Sequence, residues 1–133
     1  MEKLNCKSLM IGDWVYNSSK EKCKVYAISN IFDSNIHLDN YDKPNDGCFE
    51  LAFEVEPIPL TTEILQKNGF KEIAKKCYRW EYAKGIYIKA DFTAEEPWID
   101  ISGSCYFTSP ACRYLHELQH AMKLCGITLE III

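Results

Sequence analysis

The sequence predicts an α+β domain that is mostly antiparallel sheet, with a short middle helix and a C-terminal helix packed on the sheet. Short segments alternate apolar and polar residues and are separated by polar turns, a pattern typical of strands. Helical signals occur near the middle of the chain and near its end. The 133 residues, of which 47% are hydrophobic, are enough for a single domain over 1–133. Within it, a β-rich block at 1–58 and an α+β block at 59–133 can be distinguished.

The N-terminal half is predicted to form a meander or a small SH3-like barrel. Short strands joined by polar turns are expected within 9–16, 23–31 and 35–38. Residues 49–56 alternate so regularly that one half-buried strand is expected there. The Pro-rich segment 57–60 ends that strand and forms the clearest internal boundary of the chain.

Local signals predict the short helix in the middle of the chain. Thr61 is a suitable N-cap for a helix over about 62–68, and Gly69 suits the residue after its end. Phe70 then lies where it can contact Leu65, as in a Schellman ending. Each of these residues therefore has a local structural role, and no catalytic role is predicted for them.

The segment after this helix is predicted to contain most of the remaining strands. Residues 71–76 are ambiguous between an extension of the helix and a loop. Segments 77–82 and 85–92 predict two strands around a turn. Segments 97–101 and 104–107 predict one long strand or two short ones.

The longest helical pattern lies near the C-terminus. Its apolar side chains recur at the spacing of one helix face: Tyr114, Leu115, Leu118, Ala121, Met122 and Cys125. Ser109 and Pro110 suit the N-cap and the first turn, and Gly126 suits the residue after the helix end. Residues 128–133 are expected to form a final sheet strand, because their aliphatic side chains alternate with polar ones.

This helix contains His116-Glu117-x-x-His120, the H-E-x-x-H spelling of a zinc hydrolase. Histidines four residues apart on a helix can bind one ion, and the intervening Glu can act as a general base. A catalytic zinc requires a third ligand, and Lys123 and Gly126 stand where the extended motif has Gly and His. The preferred interpretation is two solvated histidines on the polar face, with no metal or other cofactor. The alternative is a zinc-dependent hydrolase with His116 and His120 as ligands and Glu117 as base.

A nucleic-acid-binding surface is a weaker alternative. Arg79, Lys84 and Lys89 lie among aromatic residues, a combination found where single strands stack on a protein. Nearby acidic residues oppose this interpretation: Asp91, Glu95, Glu96 and Asp100. The net charge of −4 also argues against a general nucleic-acid or membrane-surface binder.

The cysteines bear on the compartment. There are seven, an odd number, and no C-x-x-C spacing occurs. No secretory signal follows the first Met, and no apolar run is long enough to span a membrane. We therefore predict a cytoplasmic protein without membrane association, in which all seven thiols are free. The oligomeric state stays open.

Four stretches of the chain carry a resemblance. They are Leu9-Met10-Ile11-Gly12-Asp13-Trp14-Val15, Ile58-Pro59-Leu60-Thr61, Asn68-Gly69-Phe70 and Tyr114-Leu115-His116-Glu117-Leu118-Gln119-His120. In this order the chain resembles a set of small uncharacterised proteins of anaerobic gut bacteria and their mobile elements. The resemblance spans most of the chain and implies no activity. The similar proteins read His-Gln-Leu-Gln-Asn as readily as His-Glu-Leu-Gln-His, which implies that His116 alone carries over.

These observations favour a small cytoplasmic, non-enzymatic binding or interaction protein with an unidentified protein partner. Zinc-dependent hydrolysis is the alternative from a different class. Nucleic-acid binding is the third and weaker hypothesis.

Overall fold

The computed structural model describes residues 9–28, 35–43, 47–51, 54–103, 106–109, 111–128 and 130–133. The chain divides into two compact units, an N-terminal unit, Met1–Ile58, and a C-terminal unit, Pro59–Ile133. Each unit contains a five-stranded antiparallel sheet, so the predicted α+β class is confirmed. Among the described residues, none of the helices has the length and apolar character needed to cross a membrane.

The N-terminal unit is a five-stranded meander. Its strands are β1 (Trp14–Tyr16), β2 (Lys22–Ile28), β3 (Asn35–Asn40), β4 (Cys48–Leu51) and β5 (Glu56–Pro57). The sheet order is β4-β3-β2-β1-β5, so neighbours in sequence pair until the last strand returns to the first. This confirms the predicted meander. Residues 29–31, which were expected to continue the second strand, lie outside the described part of the chain.

The core of the N-terminal unit comes from alternate positions of β1, β2 and β3, together with two residues that lie outside the strands, Leu9 and Val55. It contains Leu9, Val15, Cys23, Val25, Ile36, Leu38 and Val55. In β2, Cys23 and Val25 are buried while Lys22 and Tyr26 are exposed, which is the period-two pattern of a strand with one covered face. Burying each large side chain contributes roughly 1.5–3 kcal/mol.

The prediction of a single strand over 49–56 is wrong. β4 stops at Leu51, β5 begins at Glu56, and the two strands lie at opposite edges of the sheet. Residues 52–53 lie outside the described residues. Alternation reports which face a residue takes but not which neighbour it pairs with, and here Pro57 pairs with Val15 of β1.

The C-terminal unit contains two helices and the second sheet. Its elements are α1 (Thr62–Lys67), β6 (Lys71–Ala74), β7 (Cys77–Ala83), β8 (Ile86–Asp91), β9 (Trp98–Ser102), β10 (Phe107–Ser109) and α2 (Leu115–Leu124). Every strand pairs with its neighbour in sequence, in the order β10-β9-β8-β7-β6. The predicted hairpin and the two short strands after it are therefore present. Residues 104–105 lie outside the described residues.

Helix α1 follows its local signals closely. The Thr61 hydroxyl accepts a hydrogen bond from the Ile64 N–H at 3.3 Å, which caps the N-terminus. Gly69 has a φ of 91°, a conformation that favours glycine. The Phe70 N–H then donates to the Leu65 carbonyl at 3.0 Å, as a Schellman ending requires. The predicted cap and ending are confirmed.

The segment 71–76 is neither a helical extension nor a loop throughout. Residues 71–74 form β6, which pairs with β7 and is exposed at every position. The turn that follows places Lys76 at a φ of 60°. Pairing with a neighbouring strand outweighs the weak local preferences of this charged segment.

Helix α2 begins later than Ser109. Ser109 pairs with Ile99 as the last residue of β10, and Tyr114 is the N-cap of α2. Pairing with β9 therefore excludes Ser109 from the role of helix cap. The helix ends as predicted, because Gly126 has a φ of 72° and the Ile127 N–H donates to the Met122 carbonyl at 2.9 Å. The predicted apolar stripe is buried at Leu115, Leu118, Ala121 and Met122.

The C-terminal tail is not the predicted strand, although the predicted face is buried where it is described. Ile127, Ile131 and Ile133 are buried, and residue 129 lies outside the described residues. The Asn68 amide replaces a strand neighbour: its Nδ2 donates to the Ile132 carbonyl at 2.7 Å, and its Oδ1 accepts from the Ile132 N–H at 2.8 Å. A side-chain amide contains both a donor and an acceptor, so Asn68 can hydrogen-bond to both backbone groups of Ile132 without strand pairing.

The prediction of seven free thiols is wrong. Cys125, the residue that ends α2, is disulfide-bonded, whereas Cys77 and Cys112 are thiols. Burial raises the pKa of the Cys112 thiol to about 12. Disulfide formation depends on the spatial approach of two Cβ atoms, which sequence spacing does not report.

Candidate binding surface

The two histidines of the H-E-x-x-H motif meet at the start of α2. Their ring centroids are 5.5 Å apart with planes at 74°, and the Tyr114 ring stacks on His116 at 6.0 Å and 10°. His116 is only 5% exposed, so the prediction of two solvated histidines is wrong for this residue. Helical side chains tilt toward the N-terminus, which places His116 beneath the ring of Tyr114.

Glu117, the hypothetical general base, has a structural role in the same turn. Its Oε1 accepts a hydrogen bond from the Tyr114 N–H at 3.0 Å. A carboxylate at this position also interacts favourably with the positive end of the helix dipole. Glu117 therefore stabilises the first turn of α2. Just before the helix, the Leu60 N–H donates a hydrogen bond to the Arg113 carbonyl at 2.9 Å.

The motif does not gather a third metal donor in the part of the chain that the structure describes. No group of three His, Cys, Asp or Glu residues suited to one metal ion occurs among those residues. A catalytic zinc requires three protein ligands. The zinc hydrolase is thus a hypothesis that rests on His116 and His120 alone, and metal analysis is its test.

A different feature stands out on the second sheet, where three cations lie in one row across three strands. In register, Lys71 of β6 lies opposite Arg79 of β7, and Arg79 lies opposite Lys89 of β8. Directly opposed residues share a sheet face, with Cβ atoms about 4.5–5.5 Å apart. All three side chains are exposed. We call Lys71, Arg79 and Lys89 the basic row.

The charge changes sign at the far end of the basic row. Lys89 lies opposite Asp100 of β9, and Asp91 lies two residues after Lys89 on the same face. The pKa of the Asp91 carboxyl is lowered, mainly because the carboxylate accepts hydrogen bonds from the Thr93 hydroxyl at 2.6 Å and the Thr93 N–H at 2.8 Å. This face is therefore basic toward β6 and acidic toward β9.

A groove of about 390 Å³ lies at the basic end of this face. It is lined by Gly69, Lys71, Ile73, Arg79, Trp80, Glu81 and Tyr87. The Arg79 guanidinium lies 4.9 Å from the centroid of the Tyr87 ring, a cation–π contact that orients it. The pKa of the Tyr87 phenol is raised because its hydroxyl is hydrogen-bonded to the Glu81 carboxylate. The groove thus combines the cations of Lys71 and Arg79 with the carboxylate of Glu81 and the apolar side chain of Ile73.

The residues of the nucleic-acid hypothesis are only partly brought together. Arg79 and Lys89 are cross-strand partners, whereas Lys84 lies in the turn between β7 and β8. Sequence reasoning does not single out Lys71, because β6 was not predicted and the register of its partner was therefore unknown. A charged segment directly before a predicted hairpin is the only local signal for it.

Comparison of the chain with protein-family models, with curated proteins and with solved structures gives no match. The function is therefore argued from the described residues and their geometry.

Proposed function

We propose that this protein is a non-enzymatic binding protein whose partner is an acidic, extended segment of another protein. The segment would lie along β6 and place its carboxylates on the basic row. The observation that carries the proposal is the alignment of Lys71, Arg79 and Lys89 in one exposed cross-strand row.

The basic row is costly to the protein by itself. Like charges directly opposite each other destabilise a sheet, with pair effects of roughly 0.2–1 kcal/mol. Arg79 has a cation on both sides in register, and only Lys89 has an acidic partner, Asp100, on its other side. An anionic ligand across Lys71 and Arg79 would reduce this repulsion, which supports the proposal.

Strand β6 adds a backbone site beside these charges. It is the edge strand of its sheet, and all four of its residues are exposed. An edge strand presents N–H and C=O groups to which an extended peptide can add as a further strand. Alternate side chains of that peptide would face the basic row, since side chains in a strand alternate between faces.

The acidic end of the same face favours a short acidic peptide over a nucleic acid. A nucleic-acid backbone that continued past Lys89 would bring its phosphates close to Asp91 and Asp100, whose carboxylates would repel them. A short peptide needs only the basic end and the β6 edge. The net charge of −4 further disfavours a polyanion held by phosphate contacts alone.

The experiment is a titration with a short peptide of alternating Glu and Val, followed by backbone NMR. We expect saturable shifts at Lys71–Ala74 and slower amide exchange along β6. Arg79→Glu should weaken binding by about tenfold or more. Lys84→Glu is the matched control, because it makes the same charge change in the turn outside the basic row.

Two results would contradict this proposal. One is equal affinity of the peptide for the wild type and Arg79→Glu. The other is tighter binding of single-stranded oligothymidine than of the peptide, with shifts at the same residues, which would make the surface a nucleic-acid site.

A cytoplasmic location remains part of the proposal, and the disulfide at Cys125 bears on it. Disulfides are rare in reducing compartments. Cell fractionation tests the location. Recovery of the protein in the cytoplasmic fraction is expected, and recovery outside it with the Cys125 disulfide intact would contradict this part of the proposal.

A further inference from the structure

The N-terminal unit contains an aromatic corner in which a cation already lies. Trp14 of β1 is opposite Lys24 of β2, and Lys24 is opposite Asp39 of β3, so the three share one sheet face. The Lys24 Nζ atom lies 5.0 Å from the centroid of the Trp14 ring. Tyr41, just after β3, meets Trp14 edge-on, with ring centroids 5.3 Å apart and planes at 67°.

These residues line an open depression of about 230 Å³. Its lining is Trp14, Lys24, Asp39, Asn40 and Tyr41. Two aromatic rings set at a steep angle, with a carboxylate residue beside them, form the lining that recognises quaternary and methylated ammonium groups through the negative faces of the rings. The lining therefore has the chemistry of an ammonium site.

We propose that this corner binds an alkylammonium group, and that Lys24 occupies it from within the chain as a competitor. Trp14 is only 2% exposed, so a ligand reaches the indole face only when Lys24 leaves it. Lys24 itself is half-buried, and its compact ammonium is strongly hydrated in water. A methylated ammonium loses less hydration on entering the corner than Lys24 does and therefore displaces it.

The ligand chemistry is shared by two sources, a free quaternary ammonium compound and a trimethylated lysine in a peptide. Tetramethylammonium probes the corner itself. Choline and a short trimethyl-lysine peptide, compared with the same peptide unmodified, distinguish the sources. Preference for the methylated peptide over choline assigns the site to a modified protein, whereas equal affinity assigns it to the small compound.

The decisive variants replace Lys24, the internal competitor of the ligand. Binding is followed by the indole N–H resonance of Trp14, assigned by its loss in Trp14→Phe. Lys24→Ala should bind tetramethylammonium about tenfold or more tightly than the wild type, because the ligand no longer displaces a cation. Lys24→Arg should bind as weakly as the wild type, since a guanidinium also stacks on indole. Asp39→Asn in the Lys24→Ala background should weaken binding again.

Lys22→Ala is the matched control, because Lys22 lies on the same strand opposite Tyr16 and does not line the depression. Dispersed backbone resonances verify that each variant is folded. Should Lys24→Ala unfold, Lys24→Gln removes the charge while keeping much of the chain length, and it should also gain affinity. Affinities of Lys24→Ala and Lys24→Gln equal to that of Lys22→Ala would overturn the proposal and leave Lys24 as a packing residue of the sheet.

Discussion

The two sheets have the same number of strands and antiparallel pairing throughout, yet the cations in them have different cross-strand neighbours. In the N-terminal unit, Lys24 has Trp14 on one side in register and Asp39 on the other. In the C-terminal unit, Arg79 has Lys71 on one side and Lys89 on the other. The first arrangement places a cation beside an aromatic ring and an acidic residue, and the second places three cations beside one another. Register decides between these outcomes, because it determines which side chains lie opposite each cation.

The largest expected effect is the loss of stability when the C-terminal tail is removed from the unit that carries the basic row. Truncation after Gly126 removes Ile127, Ile131 and Ile133, which are buried. At roughly 1.5–3 kcal/mol per side chain, the loss should lower the free energy of unfolding of the C-terminal unit by about 3 kcal/mol or more. Urea denaturation measures it. An unchanged midpoint would show that the tail is not part of the core.

A matched pair of charge reversals addresses the comparison itself. Lys24→Glu loses the contact with Trp14 and faces Asp39, so it should destabilise by about 1 kcal/mol. Lys71→Glu turns a repulsive pair with Arg79 into an attractive one, so it should stabilise by about 0.5 kcal/mol. Urea denaturation read from resonances in each sheet gives both values, and high salt should reduce both. Effects of the same sign would break the comparison.

Helix α2 shows how far local sequence signals reach. Its stripe and its ending at Gly126 are encoded within one or two turns and were predicted correctly, as was all of α1. Its start was not, because Ser109 is taken by pairing with Ile99. The burial of His116 is not visible in the helical periodicity, which places this residue on the polar face.

The candidate site divides in the same way. Arg79 and Lys89 were noticed from their aromatic surroundings, which are visible in the sequence. Lys71 was missed, and the basic row cannot be seen without the register of three strands. A period-two pattern specifies faces but leaves the pairing of strands undetermined. The fold class is therefore more accessible to sequence reasoning than the site.

A smaller effect is expected at the H-E-x-x-H motif. His120→Ala should change the free energy of unfolding by about 0.5 kcal/mol or less, as an ordinary substitution outside the core does. Purified protein should carry no stoichiometric zinc, and a chelator should leave its melting temperature unchanged. One equivalent of zinc by elemental analysis, lost in His120→Ala, would instead establish the hydrolase hypothesis as the leading one.

The smallest effect concerns the acidic end of the basic row. Thr93→Ala removes the hydroxyl that donates to Asp91 and should raise the pKa of that carboxyl toward the ordinary value of an aspartate. Because the pKa is lowered in the folded protein, the stabilising contribution is present above the unfolded value and is lost as the pH falls through the folded one. Carboxyl NMR titration measures the shift. An identical titration curve in the variant would show that Thr93 does not hold the charge.

The most direct test of the central claim reverses the charge of the site and of its ligand together. A Lys71→Glu, Arg79→Glu double variant should lose affinity for the peptide of alternating Glu and Val and gain affinity for one of alternating Lys and Val, each by about tenfold or more. The wild type should show the opposite preference. If the double variant keeps the wild-type preference for the acidic peptide, the basic row is not the binding surface.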